Sequence, residues 1–432
     1  MKQFIQKLWI GVAMLCLSFT ASAYDFEIDG ICYNVIDPAE LTCGVCATTE
    51  SLDCSKEVVI PSQVSFLGKT LTVVSIMDEA FKFSGIVSIS IPNTCTSIGD
   101  VAFYDCEALK SFNIPDGVTS IGELTFSYCT SLTHINIPEG VTSIGDYVFQ
   151  QSAITSLYIS DSNQKLEFGS KAFDNSKIKD LYIGRELELN SYDNYALFYN
   201  ADIDSLTIGS KVTKIGMEFF TGKIIESKYS VKSVQKLNIL PSEESLYCEE
   251  SSLLKVNPNV LILGRQLSVS CIFSNIFSNI TNLKHLEIGE NVNDISSLSL
   301  DRNNITTMLV KKILPPKCIS GTFSKDTYLY CSLKVPVGSY SDYKSAEGWK
   351  NFWNIGECDF SGIETVEGDG NLSCVADNGD IRIDNKDENS IVRVYNIQGS
   401  MLAETSESVV NNLPKGLYIV TVENKSFKVS LR

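Results

Sequence analysis

Acid–base or nucleophilic chemistry needs residues brought together, and this chain offers few. Only two histidines occur, His134 and His285, far apart in the sequence. The 52 acidic residues are scattered, with no pair at a spacing that would set one as acid and the other as base. HExxH, GxSxG, GxGxxG and P-loop patterns are all missing. Cys43-Gly44-Val45-Cys46 has the spacing of a redox pair or of half a zinc site. The first reading needs a surrounding βαβ unit and the second needs another Cys/His pair, and neither follows. The chain therefore reads as a non-enzyme, with no catalytic residue, no metal site and no cofactor.

The elements that would position any site are written in a repeat. Residues 73–160 hold four copies of one unit: Ile recurs at 76, 98, 121 and 144, and Phe at 81, 103, 126 and 149, in steps of 22 or 23. An Ile-Pro pair ends at Pro92, Pro115 and Pro138. Within each unit runs apolar-x-x-apolar-x-apolar, as in Leu109, Phe112, Ile114 and Leu132, Ile135, Ile137. The last two members alternate in and out like a short strand. One such coil cannot bury its apolar side alone, whereas stacked coils pair their strands in parallel around a continuous core. The proline ends each strand and the glycine after each Ile (Gly99, Gly122, Gly145) permits a corner. The strand marker continues from Val58/Ile60 to Leu333/Val335, in steps of 22 to 25 with two of 31. About a dozen coils are expected.

The residues between the inward markers then line up in rows on the solvent side of the sheet. One row runs Ser88, Ser111, His134, Ser156, Asp180, Ser205, Lys236, Val260, His285, Thr307. Its neighbour runs Ser90, Asn113, Asn136, Tyr158, Tyr182, Thr207, Asn238, Ile262, Glu287, Leu309. Tyr158 and Tyr182, with Asp180 beside them, form the candidate ligand-binding patch, since exposed tyrosines give contact area at little entropic cost. The alternative is a plain ladder of cross-strand neighbours. Cys95, Cys106 and Cys129 fall on inward positions and are expected to pack as small hydrophobes.

The units resemble the BspA-like leucine-rich repeats of secreted bacterial proteins, through Ser97-Ile98-Gly99, Ala102-Phe103, Cys106, Leu109, Ile114-Pro115 and their copies. The resemblance implies a β-rich leucine-rich-repeat solenoid and adhesion to matrix proteins or neighbouring cells.

Residues 1–23 carry Lys2 and Lys7, an apolar run from Leu8 to Phe19, and the small-residue site Ala21-Ser22-Ala23, the pattern of a signal peptide. No later run is long enough for a membrane span. Loss of the two lysines takes the net charge from −17 to −19, which disfavours nucleic acid and acidic membranes as partners. Residues 24–72 read as an N-terminal cap with a hairpin at Asp29-Gly30. The cap holds Cys32, Cys43, Cys46 and Cys54, where disulfides are permitted in an exported chain and three full pairings are open.

Residues 73–358 are the solenoid with its closing cap, in which Tyr343, Ala346, Trp349 and Phe352 recur every three residues and suggest one short helix over the last coil. Residues 359–370 read as a linker and 371–432 as a small antiparallel β-sandwich. The tail resembles the C-terminal sorting domain of type IX secretion substrates, through Val394-Tyr395-Asn396-Ile397-Gln398-Gly399 and Leu413-Pro414-Lys415-Gly416-Leu417-Tyr418. That resemblance implies a secretion machine as partner, with the domain cleaved or retained as an anchor. The chain thus reads as a secreted or outer-membrane surface protein that binds a host extracellular-matrix or surface protein. A glycan-binding module and a passive envelope component are the alternatives.

Overall fold

The computed structural model describes residues 24–49, 52, 57–190, 196–216, 219–220, 230–249, 253, 256–269, 277, 280–360, 373–377, 380–384, 386, 390–396, 401–411, 413, 416–422 and 425–431. The expected leader, Cys54, most of the expected linker, and the Gln398-Gly399 and Pro414-Lys415 turns lie outside the described residues. The rest divides along the chain into two compact units, the first ending at Gly356 and the second starting at Glu357, each considered by itself.

The first unit is a parallel β-solenoid of about eleven turns. Every expected inward marker from Val58/Ile60 to Leu333/Val335 is buried, and all but Ile60, Ile91 and Ile114, which fall just past the ends of short strands, lie in a strand. The strands Glu57–Val59, Ser88–Ser90 and Ser111–Phe112 form one short parallel ladder. A longer one begins at His134–Ile137 and runs through Ser156–Ile159, Lys177–Ile183, Asp202–Ile208, Ser233–Ile239, Val260–Arg265, His285–Asn291, Thr307–Val310 and Ser332–Pro336 to Ile355–Cys358. A second ladder was not anticipated. The Ser-Ile pairs are themselves two-residue strands, Ser97–Ile98, Ser120–Ile121 and Ser143–Ile144, which pair in register. The cap joins this second ladder: Phe26–Ile28 and Ile31–Asp37 form the expected hairpin, Thr42–Thr48 pairs antiparallel with its second strand, and the same strand pairs in parallel with Lys69–Ile76.

Between the ladders five successive coils turn through two left-handed residues four positions apart: Glu79 and Phe83, Val101 and Asp105, Leu124 and Tyr128, Tyr147 and Gln151, Lys171 and Asn175, all with φ between 49° and 61°. These turns aim every second N–H group at the next coil. Those of Val101, Phe103 and Asp105 donate to the carbonyls of Glu123, Thr125 and Ser127. The phenylalanines between these turns stack face to face through the core. Phe81, Phe103, Phe126, Phe149, Phe173, Phe198 and Phe220 follow one another at 5.1–5.7 Å with interplanar angles of at most 16°.

The glycine after each Ser-Ile pair does not use left-handed backbone. It is needed because the coils touch there: a Cβ on Gly122 would lie 2.3 Å from Asp100 Oδ1 and 2.4 Å from Asp100 N. The same Asp100 carboxylate accepts the Glu123 N–H at 2.7 Å.

The closing segment corrects the expectation of one helix. A helix at Tyr340–Ser345 stops at Ala346, Gly348 turns with φ 77°, and Trp349–Asn351 is a single 3-10 turn. A strict three-residue period eclipses side chains in a way that an α-helix does not sustain. Tyr343, Trp349 and Phe352 are nonetheless fully buried under the last coil. Tyr343 donates its hydroxyl to Lys312 O at 2.7 Å, and Trp349 Nε1 donates to Pro316 O at 2.7 Å.

The second unit holds two antiparallel sheets. One orders Ser373–Asp377, Asp380–Asp384 and Val409–Val410; the other orders Met401–Thr405, Val392–Asn396, Gly416–Val422 and Lys425–Leu431. Cys374, Ile381, Ile383, Val392, Val394, Val410, Tyr418, Val420, Val422 and Val429 make one core from both.

Phe126→Ala is expected to lower the unfolding free energy by about 3–5 kcal/mol, and Gly122→Ala by about 1–3 kcal/mol through overpacking. Both are read from the denaturant midpoint. A Phe126→Ala variant as stable as the parent would mean that the ring stack is not what holds the coils.

Candidate binding surface

The strand register builds the two solvent rows as expected from His134 onward. Backbone pairing sets Ser156 beside Asp180, Asp180 beside Ser205, Tyr158 beside Tyr182, and Tyr182 beside Thr207. The row therefore stays on one face because every strand repeats the same alternation. In the first coils the register sets Glu57 beside Ser88, Val59 beside Ser90 and Ser88 beside Ser111, and their ladder ends before His134.

Tyr158 and Tyr182 are brought together more closely than register alone requires. Their rings stack at 4.5 Å with an interplanar angle of 10°. Tyr182 donates its hydroxyl to Asp161 Oδ1 at 2.8 Å. Both phenols are half-buried, and that desolvation is the first cause raising the Tyr158 and Tyr182 pKa above the ordinary tyrosine value. The neighbouring Asp161 carboxylate, which favours the neutral phenol, is the next. Asp180 lies on the same face, exposed, and it is Asp161 that meets the tyrosine hydroxyl. Asp161 stands past the end of its strand, where the two-residue alternation no longer predicts direction. Its signal in the sequence was only its position just beyond Ile159-Ser160.

The two histidines sit on this face six strands apart, roughly 29 Å at the usual strand spacing. His285 Nδ1 lies 2.7 Å from Thr307 Oγ1, and burial pulls its pKa down, with Glu287 opposing and Lys236 adding to the shift. Glu287 forms a 2.7 Å ion pair with Lys311. Among the described residues no group of three His, Cys, Asp or Glu side chains is placed to hold a metal ion.

Cys32, Cys43 and Cys46 are thiols, with Cys32 and Cys43 fully buried. Cys46 is the extra residue of a bulge: Cys32 pairs with Ala47 and Tyr33 with Val45. Cys95, Cys106 and Cys129 lie inward. The Cys106 and Cys129 thiols donate to Phe81 O and Phe103 O of the preceding coil at 3.0 and 3.2 Å, and burial pushes the Cys95 thiol up to about 12. Such thiols are packing groups rather than nucleophiles.

Sequence reasoning missed two buried cations. Arg185 and Arg265 are fully enclosed. Arg185 donates from Nη1 to Glu139 O and Val141 O and from Nη2 to Pro138 O, each at 2.8 Å. Arg265 donates to Ser210 O at 3.1 Å and Gly209 O at 2.9 Å. The only hint was an Ile-Gly-Arg or Leu-Gly-Arg run where earlier coils have Ile-Pro.

With this geometry in view, the chain can be compared with known proteins. The profile of the BspA type leucine rich repeat region matches in six copies, over residues 56–179, 165–240 and 193–327. These spans cover more than half of the sequence, and the chain belongs to that family. Solenoids of this family are typically non-enzymatic. A leucine-rich repeat protein from Bacteroides capillosus is 27% identical over 31% of this chain and 97% of its own, with a TM-score of 0.29. A leucine rich cell surface protein from Faecalibacterium prausnitzii is 17% identical over 79% of this chain and 96% of its own, with a TM-score of 0.33. The pneumococcal vaccine antigen PcpA is 18% identical over 76% of this chain and 97% of its own, with a TM-score of 0.37. No curated protein matches the chain. Among the described residues no helix is long and apolar enough to cross a membrane.

The tyrosine pair makes a pH prediction. A phenol whose folded pKa is raised leaves stability complete below the unfolded value of about 10 and loses it as pH climbs toward the folded value. The unfolding free energy of the parent should therefore fall more steeply above about pH 10 than that of the Tyr158→Phe, Tyr182→Phe variant. Parallel curves would show that the pair titrates as ordinary tyrosines.

Proposed function

We propose that this chain is an exported, non-enzymatic surface or secreted protein whose strand face binds a macromolecular partner, with Tyr158, Tyr182 and Asp180 at the centre of contact. The observation that carries the reading is the preorganised tyrosine pair. Two amphipathic rings are already stacked and the Tyr182 hydroxyl is already tied to Asp161, so a partner would have less to order, and ordering is a main cost of association. The flanking Asn136, Ser156, Ser205 and Thr207 supply small polar groups of the kind found at interface rims. A protein partner is favoured over a glycan because each ring covers one face of the other, leaving less open face for a sugar to lie on. Host extracellular-matrix or cell-surface proteins are the partner class that the repeat family suggests.

On the same reading the segments have separate tasks. Residues 1–23 act as the leader, 24–72 as the cap, 73–358 as the solenoid and 359–370 as a linker. Residues 371–432 are a sorting or anchoring domain read by the secretion machinery. Deleting 371–432 is expected to stop delivery to the surface; surface exposure unchanged by the deletion would remove that role.

The direct test is a binding screen of the purified protein against matrix proteins, fibronectin among them, and against glycans. Saturable binding to a protein, weakened at least about tenfold in the Tyr158→Ala, Tyr182→Ala double variant, is the expected outcome, as for an interface hot spot. Binding that the double variant leaves intact would exclude this patch. Binding to glycans alone would move the assignment to a carbohydrate module, and binding to neither would leave a passive envelope scaffold.

A further inference from the structure

A second row of aromatic residues lies away from the strand face, on the turns between the ladders. The second left-handed position of successive coils is occupied by Phe83, Asp105, Tyr128, Gln151, Asn175 and Asn200, with φ from 51° to 61°. Asp and Asn suit that backbone because they tolerate positive φ. Phe83 and Tyr128 do not suit it, and burial does not explain them either, since they are 63% and 40% exposed. Neither backbone preference nor core packing accounts for large rings there.

The rings are joined by a third. Tyr104 meets Phe83 at 5.7 Å edge to face, and Tyr128 at 5.5 Å with a 60° tilt. Asp105 sits in the row between Phe83 and Tyr128 and next to Tyr104, held in place by its N–H donating to Ser127 O. Among the described residues its carboxylate has no hydrogen-bond or ion-pair partner. Glu107, two residues on, is exposed. The row already draws in one cation of its own: Lys82 Nζ stands 5.4 Å over the Phe83 ring while pairing with Glu79 at 3.1 Å.

Aromatic faces beside a carboxylate are the chemistry that recognises a guanidinium or ammonium group, because the ring quadrupole and the anion act in the same direction. A chain of net charge −17 adds long-range attraction for the same sign of ligand. We propose that Phe83, Tyr104, Asp105 and Tyr128 form a docking site for a basic, arginine-bearing peptide segment of a partner protein, independent of the Tyr158/Tyr182 patch. Arginine is the better fit to the tilted rings, since its planar group stacks on a face while its donors reach the carboxylate edge.

The test titrates the purified full chain with a labelled peptide of alternating Arg and Ser, and with the same peptide carrying citrulline in place of Arg. The variants are chosen to suit left-handed backbone: Asp105→Asn alone, and Phe83→Asn with Tyr128→Asn. Their unfolding midpoints are measured beside the binding, and the Tyr158→Ala, Tyr182→Ala variant serves as the separate-site control. The expected result is saturable binding of the Arg peptide, at least about fivefold weaker with citrulline and in the double ring variant, as loss of two cation–π contacts gives. Asp105→Asn should weaken it about threefold or more, while the strand-face control binds as the parent does. Equal binding by the ring variant would assign the attraction to diffuse net charge and overturn the proposal. Equal binding of the citrulline peptide, or no binding of the Arg peptide, would overturn it as well.

Discussion

Each coil of this protein is unable to satisfy its own backbone. Its strands are two to eight residues long, and in the best-repeated turns every second N–H group points along the stack to the next coil. The hydrogen bonds that close the structure therefore run between coils, in both ladders and in the turns. Because a buried backbone donor without an acceptor costs more than a formed bond returns, neighbouring coils must keep the same outline. The phenylalanine stack, the contact glycines and the inward thiols all follow from that demand for one repeated cross-section. The cost is the left-handed turn, which strains most residues that are neither Gly, Asn nor Asp. It is tolerated because three hydrogen bonds to the next coil depend on it at each of the best-repeated turns.

The same constraint turns sequence repetition into surface geometry. Pairing residue for residue puts equivalent positions of successive coils in line, so a side chain on one strand has as its neighbour the residue one period later. Tyr158 and Tyr182 stack for this reason, though they are distant in sequence, and Phe83 and Tyr128 share one turn position two coils apart, with Tyr104 of the coil between bridging them. A solenoid needs no cleft to concentrate chemistry; it needs aromatic residues at the same or an adjoining position in neighbouring coils. Its two histidines, by contrast, share a row but are separated by five strands, so the row keeps them apart as firmly as it joins the tyrosines.

Much of this was legible in the sequence, and the boundary is physical. Strand positions from Val58 to Leu333 could be read because a parallel strand with one buried face writes its alternation into residue type. The tyrosine pair could be read because it follows from period alone. The second ladder could not, since two-residue strands such as Ser97–Ile98 carry no periodicity. The left-handed residues escaped because the fold places Val101, Leu124 and Tyr147 where local preference would place Gly or Asn. Asp161 escaped because it lies beyond a strand end, and the closing helix was drawn too long because a three-residue spacing does not separate an α-helix from turns interrupted by Gly348.

The later coils show how the geometry outlasts the repeat. After Ile159 the Ile-Pro pair gives way to Ile183-Gly184-Arg185 and Leu263-Gly264-Arg265. Proline had ended the strand by lacking a donor. Here the arginine turns inward and donates to carbonyls about two coils back, those of Pro138, Glu139 and Val141 for Arg185. Desolvation lowers the Arg185 pKa to about 10, against a weaker opposing pull from Glu139, so the group stays charged at neutral pH. A buried cation is normally matched by a carboxylate. Carbonyl dipoles replace it here, and a fan of three bonds fixes the relative position of coils whose own sequences no longer repeat closely. The hydrogen bonds between neighbours set the outline of each coil, and the buried arginines carry that outline across the coils where the repeat has decayed. The strand face can thus continue as one surface past Tyr182 into the rows around Lys236 and His285.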